Sequence, residues 1–325
     1  MARGTHITLQ QLVALRLCAA QLQLFSANPS RTLLAGNVRS RFRGRGLDFA
    51  EVRSYQPGDE IRAIDWRVTA RTGTAHTKLY TEDRERPVLI VLDQSHNMRF
   101  GTRRCFKSVQ AAESAALLAW SALRHNDRVG GLVFSEKDQL DIRPKRSRKT
   151  VLSLLSAIAE IRQQSSDVDT SAPPHSINSI LTELRRLAKP GTAIFLLSDF
   201  AQLDDSGQKQ LHLLKRHNDV HALNFFDPME YQLPLSGRRT YTDGRQRLTI
   251  DDGDTSLQRA FRQQFEHRQQ QLQHLFLGSG IPCVNISTTD DALQRLLRHY
   301  SPASQKSGKR TAERNPTAKQ RSVLR

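Results

Sequence analysis

Two short stretches carry residue types suited to cation chemistry: Asp93-Gln94-Ser95-His96-Asn97 and Ser198-Asp199. Each follows an apolar run, residues 88–92 and 193–197, that reads as a buried strand. In an open α/β sheet, ligands bind beyond the carboxyl ends of strands, near the point where strand order reverses. Two carboxylates and a hydroxyl gathered there suit a hard cation such as Mg²⁺ or Mn²⁺, which takes oxygen ligands and retains part of its water. The alternative is structural, with Asp93 and Asp199 capping loops and helix N-termini. The sequence has no Gly-x-Ser-x-Gly elbow, Walker-type phosphate loop, His-Glu-x-x-His motif or Cys/His cluster, so no catalysis is expected, and His96 reads as a solvated loop residue.

Those strand ends need a frame. From residue 87 onward, strands at 128–134, 139–143, 220–226 and 281–286 alternate with helices at 105–125, 147–163, 176–188, 206–217, 255–277 and 290–299. That alternation predicts an α/β fold with a mostly parallel sheet and helices on both faces. Residues 238–250 read as an inserted hairpin. Upstream, Leu9, Leu12, Val13, Leu17 and Leu24 give residues 8–25 a helical apolar stripe. Residues 28–86 are rich in Arg and Gly and read as strands and turns, with Gln56-Pro57-Gly58-Asp59 suited to a type II turn. The expected organisation is a helix and β-rich segment over residues 1–86, an α/β domain over 87–300 and a disordered tail over 301–325. In that tail seven Lys and Arg face Glu313 alone.

Across 325 residues, 49 Lys and Arg outnumber 32 Asp and Glu, a formal charge of +17. The tail supplies 7 − 1 = +6 of it. The apolar runs are far shorter than the roughly 20 residues a membrane helix needs, so no span is expected. Arg16 and Gln10, Gln11, Gln21 and Gln23 break up what would be the apolar part of a secretory leader. Cys18, Cys105 and Cys283 are too scattered for a disulfide framework, and a reducing, cytoplasmic setting is expected. Arg39, Arg41, Arg43 and Arg45 fall on alternate residues, and the run from Arg143 to Lys149, with Lys145, Arg146 and Arg148, forms a second basic cluster. Such stripes can neutralise phosphates, so a nucleic-acid-associated protein is the rival reading. Aromatic residues are only 6% of the chain and are not interleaved with these clusters, which argues against base stacking.

The segments Gly44-Arg45-Gly46-Leu47-Asp48-Phe49, Arg53-Ser54-Tyr55-Gln56-Pro57-Gly58-Asp59-Glu60-Ile61-Arg62, Ile64-Asp65-Trp66-Arg67 and Thr69-Ala70-Arg71 together resemble the signature of the domain of unknown function 58 family. That family joins such a segment to a von Willebrand factor A-like domain. The loop at Asp93 resembles the metal-ion-dependent adhesion site of those domains. The resemblance implies a metal held by Asp93, Ser95 and Asp199, with Asn97 standing where the pattern has a second Ser and Ser176 the nearest candidate for a distant Thr. Such a site binds a partner's carboxylate through the metal and performs no reaction. Family members are commonly encoded beside MoxR-type AAA+ ATPases, which implies a non-enzymatic adaptor that docks an acidic protein surface and serves assembly, maturation or chaperone-like work. Within the signature, Tyr55, Pro57, Gly58, Asp59, Arg62, Asp65, Trp66, Arg67 and Arg71 allow two readings. They form either a salt-bridge network with Trp66 packed beneath it or a partner surface.

Overall fold

The computed structural model describes residues 4–24, 47–56, 61, 64–82, 85–161, 175–232, 237–242, 247–251 and 255–300. It divides into two units, residues 28–85 and residues 1–27 with 86–325. In chain order, α1 (Leu9–Ala14) belongs to the larger unit, and the smaller unit holds β1 (Leu47–Ser54), α2 (Trp66–Thr72) and β2 (His76–Glu82). The larger unit continues with β3 (Pro87–Asp93), α3 (Lys107–Arg124), β4 (Arg128–Phe134), β5 (Gln139–Lys145), α4 (Arg148–Glu160) and α5 (Ile177–Leu187). It is completed by β6 (Ala193–Ser198), α6 (Asp205–Lys215), β7 (Asp219–Phe226), α7 (Pro228–Tyr231), β8 (Arg238–Thr242), β9 (Arg247–Asp251), α8 (Thr255–Gly278), β10 (Cys283–Ser287) and α9 (Ala292–Tyr300).

Six strands form one sheet in the order β10-β7-β6-β3-β4-β5, parallel throughout except where β5 runs antiparallel to β4. The central strands β3, β4 and β6 carry continuous runs of apolar residues and glycine between their ends because both faces are covered. Val88, Ile90 and Leu92 pack with residues of α3, α4 and α9, while Leu89 and Val91 pack with residues of α5, α6 and α8. This is the doubly covered sheet that the von Willebrand A resemblance implies. Gly130 and Gly131 in β4 are there for close approach: a Cβ on Gly130 would lie 2.4 Å from the Ile142 carbonyl oxygen, and one on Gly131 2.8 Å from that of Ile90. The register of β4 against β5 shifts at the same place. The expected hairpin is present as the antiparallel pair β8 and β9.

The grouping of residues 1–86 into one N-terminal segment does not match the division found. Residues 4–24 belong to the larger unit, where Ile7, Leu12, Ala19, Leu22 and Leu24 join the core beside α3. The helix expected over residues 8–25 is also broken, into α1 and a 3₁₀ turn at Cys18–Gln21. The reason is hydrogen bonding to α3. Trp120 Nε1 donates to the Leu12 carbonyl at 3.1 Å, Ser121 Oγ to that of Leu22 at 2.8 Å and Arg124 to that of Ala20 at 2.7 Å. A continuous helix over residues 8–25 would have engaged the Leu12 and Ala20 carbonyls internally, whereas that of Leu22 falls in its last turn. Covered on this side too, α3 is buried on nearly every residue to Ala122, which accounts for its many alanines.

In the smaller unit, β1 and β2 pair antiparallel with a bulge between Phe49 and Glu51. The expectation of strands and turns alone missed α2. Asp65 caps that helix by accepting from the backbone N–H groups of Arg67 and Val68 at 3.0 and 3.2 Å, and Gly73 closes it at φ 75°. Trp66 is 67% exposed, which corrects the expectation that it packs beneath a salt-bridge network. Arg67 and Arg71 are exposed as well, and one oxygen of Asp65 is committed to the cap. Pro57, Gly58, Asp59, Arg62, the Arg39–Arg45 stripe and the basic tail lie outside the described residues. Among the described residues, no helix is long and apolar enough to cross a membrane.

If residues 4–24 are part of the α/β core, Leu12→Ala lowers stability by about 2–4 kcal/mol in urea denaturation, the usual cost of emptying a buried leucine site. Leu17→Ala, at a residue 83% exposed, shifts it by less than about 0.5 kcal/mol.

Candidate cation-binding site

Strand register puts the two acidic residues side by side. β3 and β6 are hydrogen-bonded neighbours with Leu92 opposite Leu197, so Asp93 comes level with Ser198 and Asp199 follows. This is where strand order reverses, since β4 lies on one side of β3 and β6 on the other. Phe200, at φ 52°, turns the chain sharply after Asp199, a left-handed conformation uncommon for a bulky residue. Asp93 accepts from the Ser95 backbone N–H at 2.9 Å on Oδ1 and from the Ser198 hydroxyl at 2.6 Å on Oδ2. Asp199 accepts from the Ala201 backbone N–H at 2.9 Å on Oδ1 and from Lys107 Nζ at 2.7 Å on Oδ2.

These residues border a small cavity, with about 10 Å³ open to the centre of a water-sized sphere, room for one water or one ion. Asp93, Ser95, Asn97, Ser198, Asp199 and Gln202 line it with oxygen-bearing side chains, and Phe134 and Ile177 add apolar wall. Burial pushes the Asp93 carboxyl up to about 6, and the nearby Asp199 charge adds to the effect against hydrogen bonds from Ser198 and Ser95. Two acids thus share a space from which most water is excluded, and a cation would relieve their repulsion. Among the described residues, no group of three or more His, Cys, Asp and Glu side chains forms a metal cluster. A cation here would therefore depend on hydroxyl and amide oxygens beside the two carboxylates, a donor set that suits Mg²⁺ or Mn²⁺ and not a soft metal.

A buried lysine lies behind the cavity. Lys107, the first residue of α3, is 2% exposed and donates both to Asp199 and, at 2.6 Å, to Glu230 Oε1. Burial alone would lower its pKa, but Asp199 and Glu230 raise it, so the ammonium is held charged. Glu230 Oε2 also accepts from the Asp227 backbone N–H, completing a capping box at the start of α7. Asp227 is fixed in turn by Thr102, Thr288 and the Met229 N–H; although burial opposes it, these bonds hold its carboxyl below the usual range.

Of the residues expected at the metal, Asp93, Ser95, Asn97 and Asp199 do meet around one cavity. Ser176 does not line it. Its hydroxyl accepts from the Ser179 N–H at 3.3 Å as the N-cap of α5, and its neighbours His175 and Ile177 face the cavity instead. Residues 162–174, just before His175, lie outside the described residues. His96 is exposed, as expected of a loop residue. Tyr55, Asp65, Trp66 and Arg71 belong to the other unit.

Lys107, Gln202 and Glu230 are not among the residues the sequence singles out. Two left a trace: Lys107 sits in phase with Gln110, Ala111 and Ser114 on a helix otherwise built for burial, and Asp227-Pro228-Met229-Glu230 spells a capped helix start.

A family model described as "Protein of unknown function DUF58" matches residues 51–274 of this chain. The chain belongs to that family. Curated relatives of this DUF58 protein include the uncharacterized protein Rv1480 of Mycobacterium tuberculosis and Mb1516 of Mycobacterium bovis. Each is 26% identical over 271 residues, covering 82% of both chains. Among solved structures, the conserved hypothetical protein BatB from Bacteroides thetaiotaomicron aligns over 70% of this chain and all of its own, at 16% identity and a TM-score of 0.43. The manganese-loaded TRAP protein of Plasmodium vivax aligns over 44% of this chain and 58% of its own, at 13% identity and a TM-score of 0.28.

In metal-free buffer the folded chain holds a proton on Asp93 up to about pH 6, whereas the unfolded chain releases it near 3.8. Between those values the folded state binds more protons, so stability falls as pH rises from about 4 to about 6 and then levels, by on the order of 2–3 kcal/mol from this residue. Urea denaturation in EDTA across that window should show Asp93→Asn gaining on wild type as pH rises. Parallel curves would place the Asp93 carboxyl back in the ordinary range.

Proposed function

We propose that this DUF58 protein is a non-enzymatic interaction module whose cavity at the ends of β3 and β6 takes a Mg²⁺ or Mn²⁺ ion and, through it, docks a carboxylate on an acidic partner surface. The observation that supports this most is the shared cavity of Asp93, Ser95, Asn97 and Asp199, lined by oxygen donors and carrying repelling acids. When bound, the ion supplies positive charge and an open coordination position. Asp93 and Asp199 supply the compensating negative charge, and Ser95 and Asn97 supply neutral oxygens. The family resemblance gives the finer form of the reading: a MoxR-type AAA+ ATPase as partner, in assembly, maturation or chaperone-like work in the cytoplasm. Catalysis is not part of it.

The exposed side chains of Lys145, Arg146, Arg148 and Lys149 at the turn from β5 into α4 favour a second reading, a nucleic-acid-associated protein. Affinity capture from the native host separates the two. The docking reading expects wild type to recover an ATPase partner in Mg²⁺, and Asp93→Ala to recover at least about ten-fold less. Equal recovery by both would remove the cavity from docking. Recovery that disappears on nuclease treatment would favour the second reading.

A further inference from the structure

A deeply buried charge in the α/β unit sits on a residue that does not line the cavity. Lys107 is among the largest fully buried side chains, yet it carries an ammonium. Its two carboxylate partners divide its charge between them: Asp199 Oδ2 at 2.7 Å and Glu230 Oε1 at 2.6 Å. Asp199 faces the cavity and Glu230 does not. The remaining oxygen of Asp199 already accepts from Ala201, and Arg268 donates to the Asp199 backbone carbonyl at 2.7 Å. Both oxygens of one of the two acids facing the cavity are therefore engaged, one of them by a full positive charge. Glu230 cannot swing away freely, because its second oxygen is tied to the Asp227 N–H at the start of α7.

A cation entering the cavity must share Asp199 with an ammonium already in place. Two positive charges on one carboxylate repel, and the low-polarity surroundings strengthen that repulsion. We propose that Lys107 sets the cation affinity of the cavity: by holding Asp199 it keeps binding weak and reversible, and Glu230 tunes the effect by drawing the ammonium partly away. Lys107 is thus a positioning residue that fixes how much of the Asp199 charge the ion receives. The inference rests on the cavity accepting a cation, as proposed above.

Two substitutions act in opposite directions. In Lys107→Met the ammonium is gone, so Mn²⁺ binds at least about ten-fold more tightly. In Glu230→Gln the ammonium has lost its second carboxylate and leans wholly on Asp199, so Mn²⁺ binds more weakly than to wild type. A merely structural lysine would weaken binding in both variants through loss of fold. The double variant Lys107→Met/Glu230→Gln removes one buried charge of each sign. It keeps the test available if Lys107→Met alone does not fold, and it too is expected to bind more tightly than wild type.

The measurement is calorimetric titration of each full-length variant with MnCl₂ after EDTA treatment, with circular dichroism confirming the fold and Asp93→Ala as control. Tighter binding without the lysine supports the proposal even if wild type itself is too weak to register, and where wild type does register, weaker binding in Glu230→Gln supports it further. Equal affinity in wild type and the lysine-free variants, with binding lost in Asp93→Ala, overturns the role of Lys107 and leaves the cation site standing. Silence in every variant overturns both.

Discussion

Asp93 and Asp199 are held out of water at the ends of adjacent parallel strands, 5% and 3% exposed, and the surrounding structure is organised by the cost of that placement. Burying an ionised carboxylate is tolerable only with hydrogen bonds or opposite charge close by. The chain treats the two acids differently. Asp93 receives two neutral donors and keeps a raised proton affinity, whereas Asp199 receives a buried ammonium. The pair therefore has one member open to a new positive partner and one already committed.

Much of the architecture follows from keeping that pair in place. The ammonium must start a helix directly behind the cavity, so α3 begins at Lys107 and is sealed on its outer side by residues 4–24. Its second partner must come from α7, and the capping box of Asp227 and Glu230 gives that four-residue helix a defined start. Thr102 and Thr288 bind Asp227 from loops on either side, which links the loop after β3 with the one after β10. The far strands of the sheet thus contribute to the site without lining it.

The α/β plan was legible in the sequence because apolar runs of five or six residues and helical stripes alternate without ambiguity from residue 87 onward. Asp93, Ser95 and Asp199 were legible because strand ends at a reversal of strand order are where ligands collect, and Asn97 through the resemblance of the Asp93 loop to a metal-ion-dependent adhesion site. What was not legible depended on tertiary contacts. The break between α1 and the turn at Cys18–Gln21 arises from α3 side chains taking the Leu12 and Ala20 carbonyls, which a continuous helix would have used. Trp66 looked like a core residue by size, yet it opens a helix capped by Asp65 and stays 67% exposed. Ser176 matched a hydroxyl-bearing position, but a helix start consumed the hydroxyl. Lys107 was invisible as a partner of Asp199, since 92 residues separate them and only the sheet brings them together.

A cation-dependent docking module and a cavity closed by its own hydrogen bonds differ in one observable. Crystals grown with MnCl₂ and measured at the manganese absorption edge should give an anomalous peak among Asp93, Ser95, Asn97 and Asp199, at a spacing suited to oxygen ligands. The absence of a peak there, at manganese concentrations that populate other sites in the crystal, would contradict it.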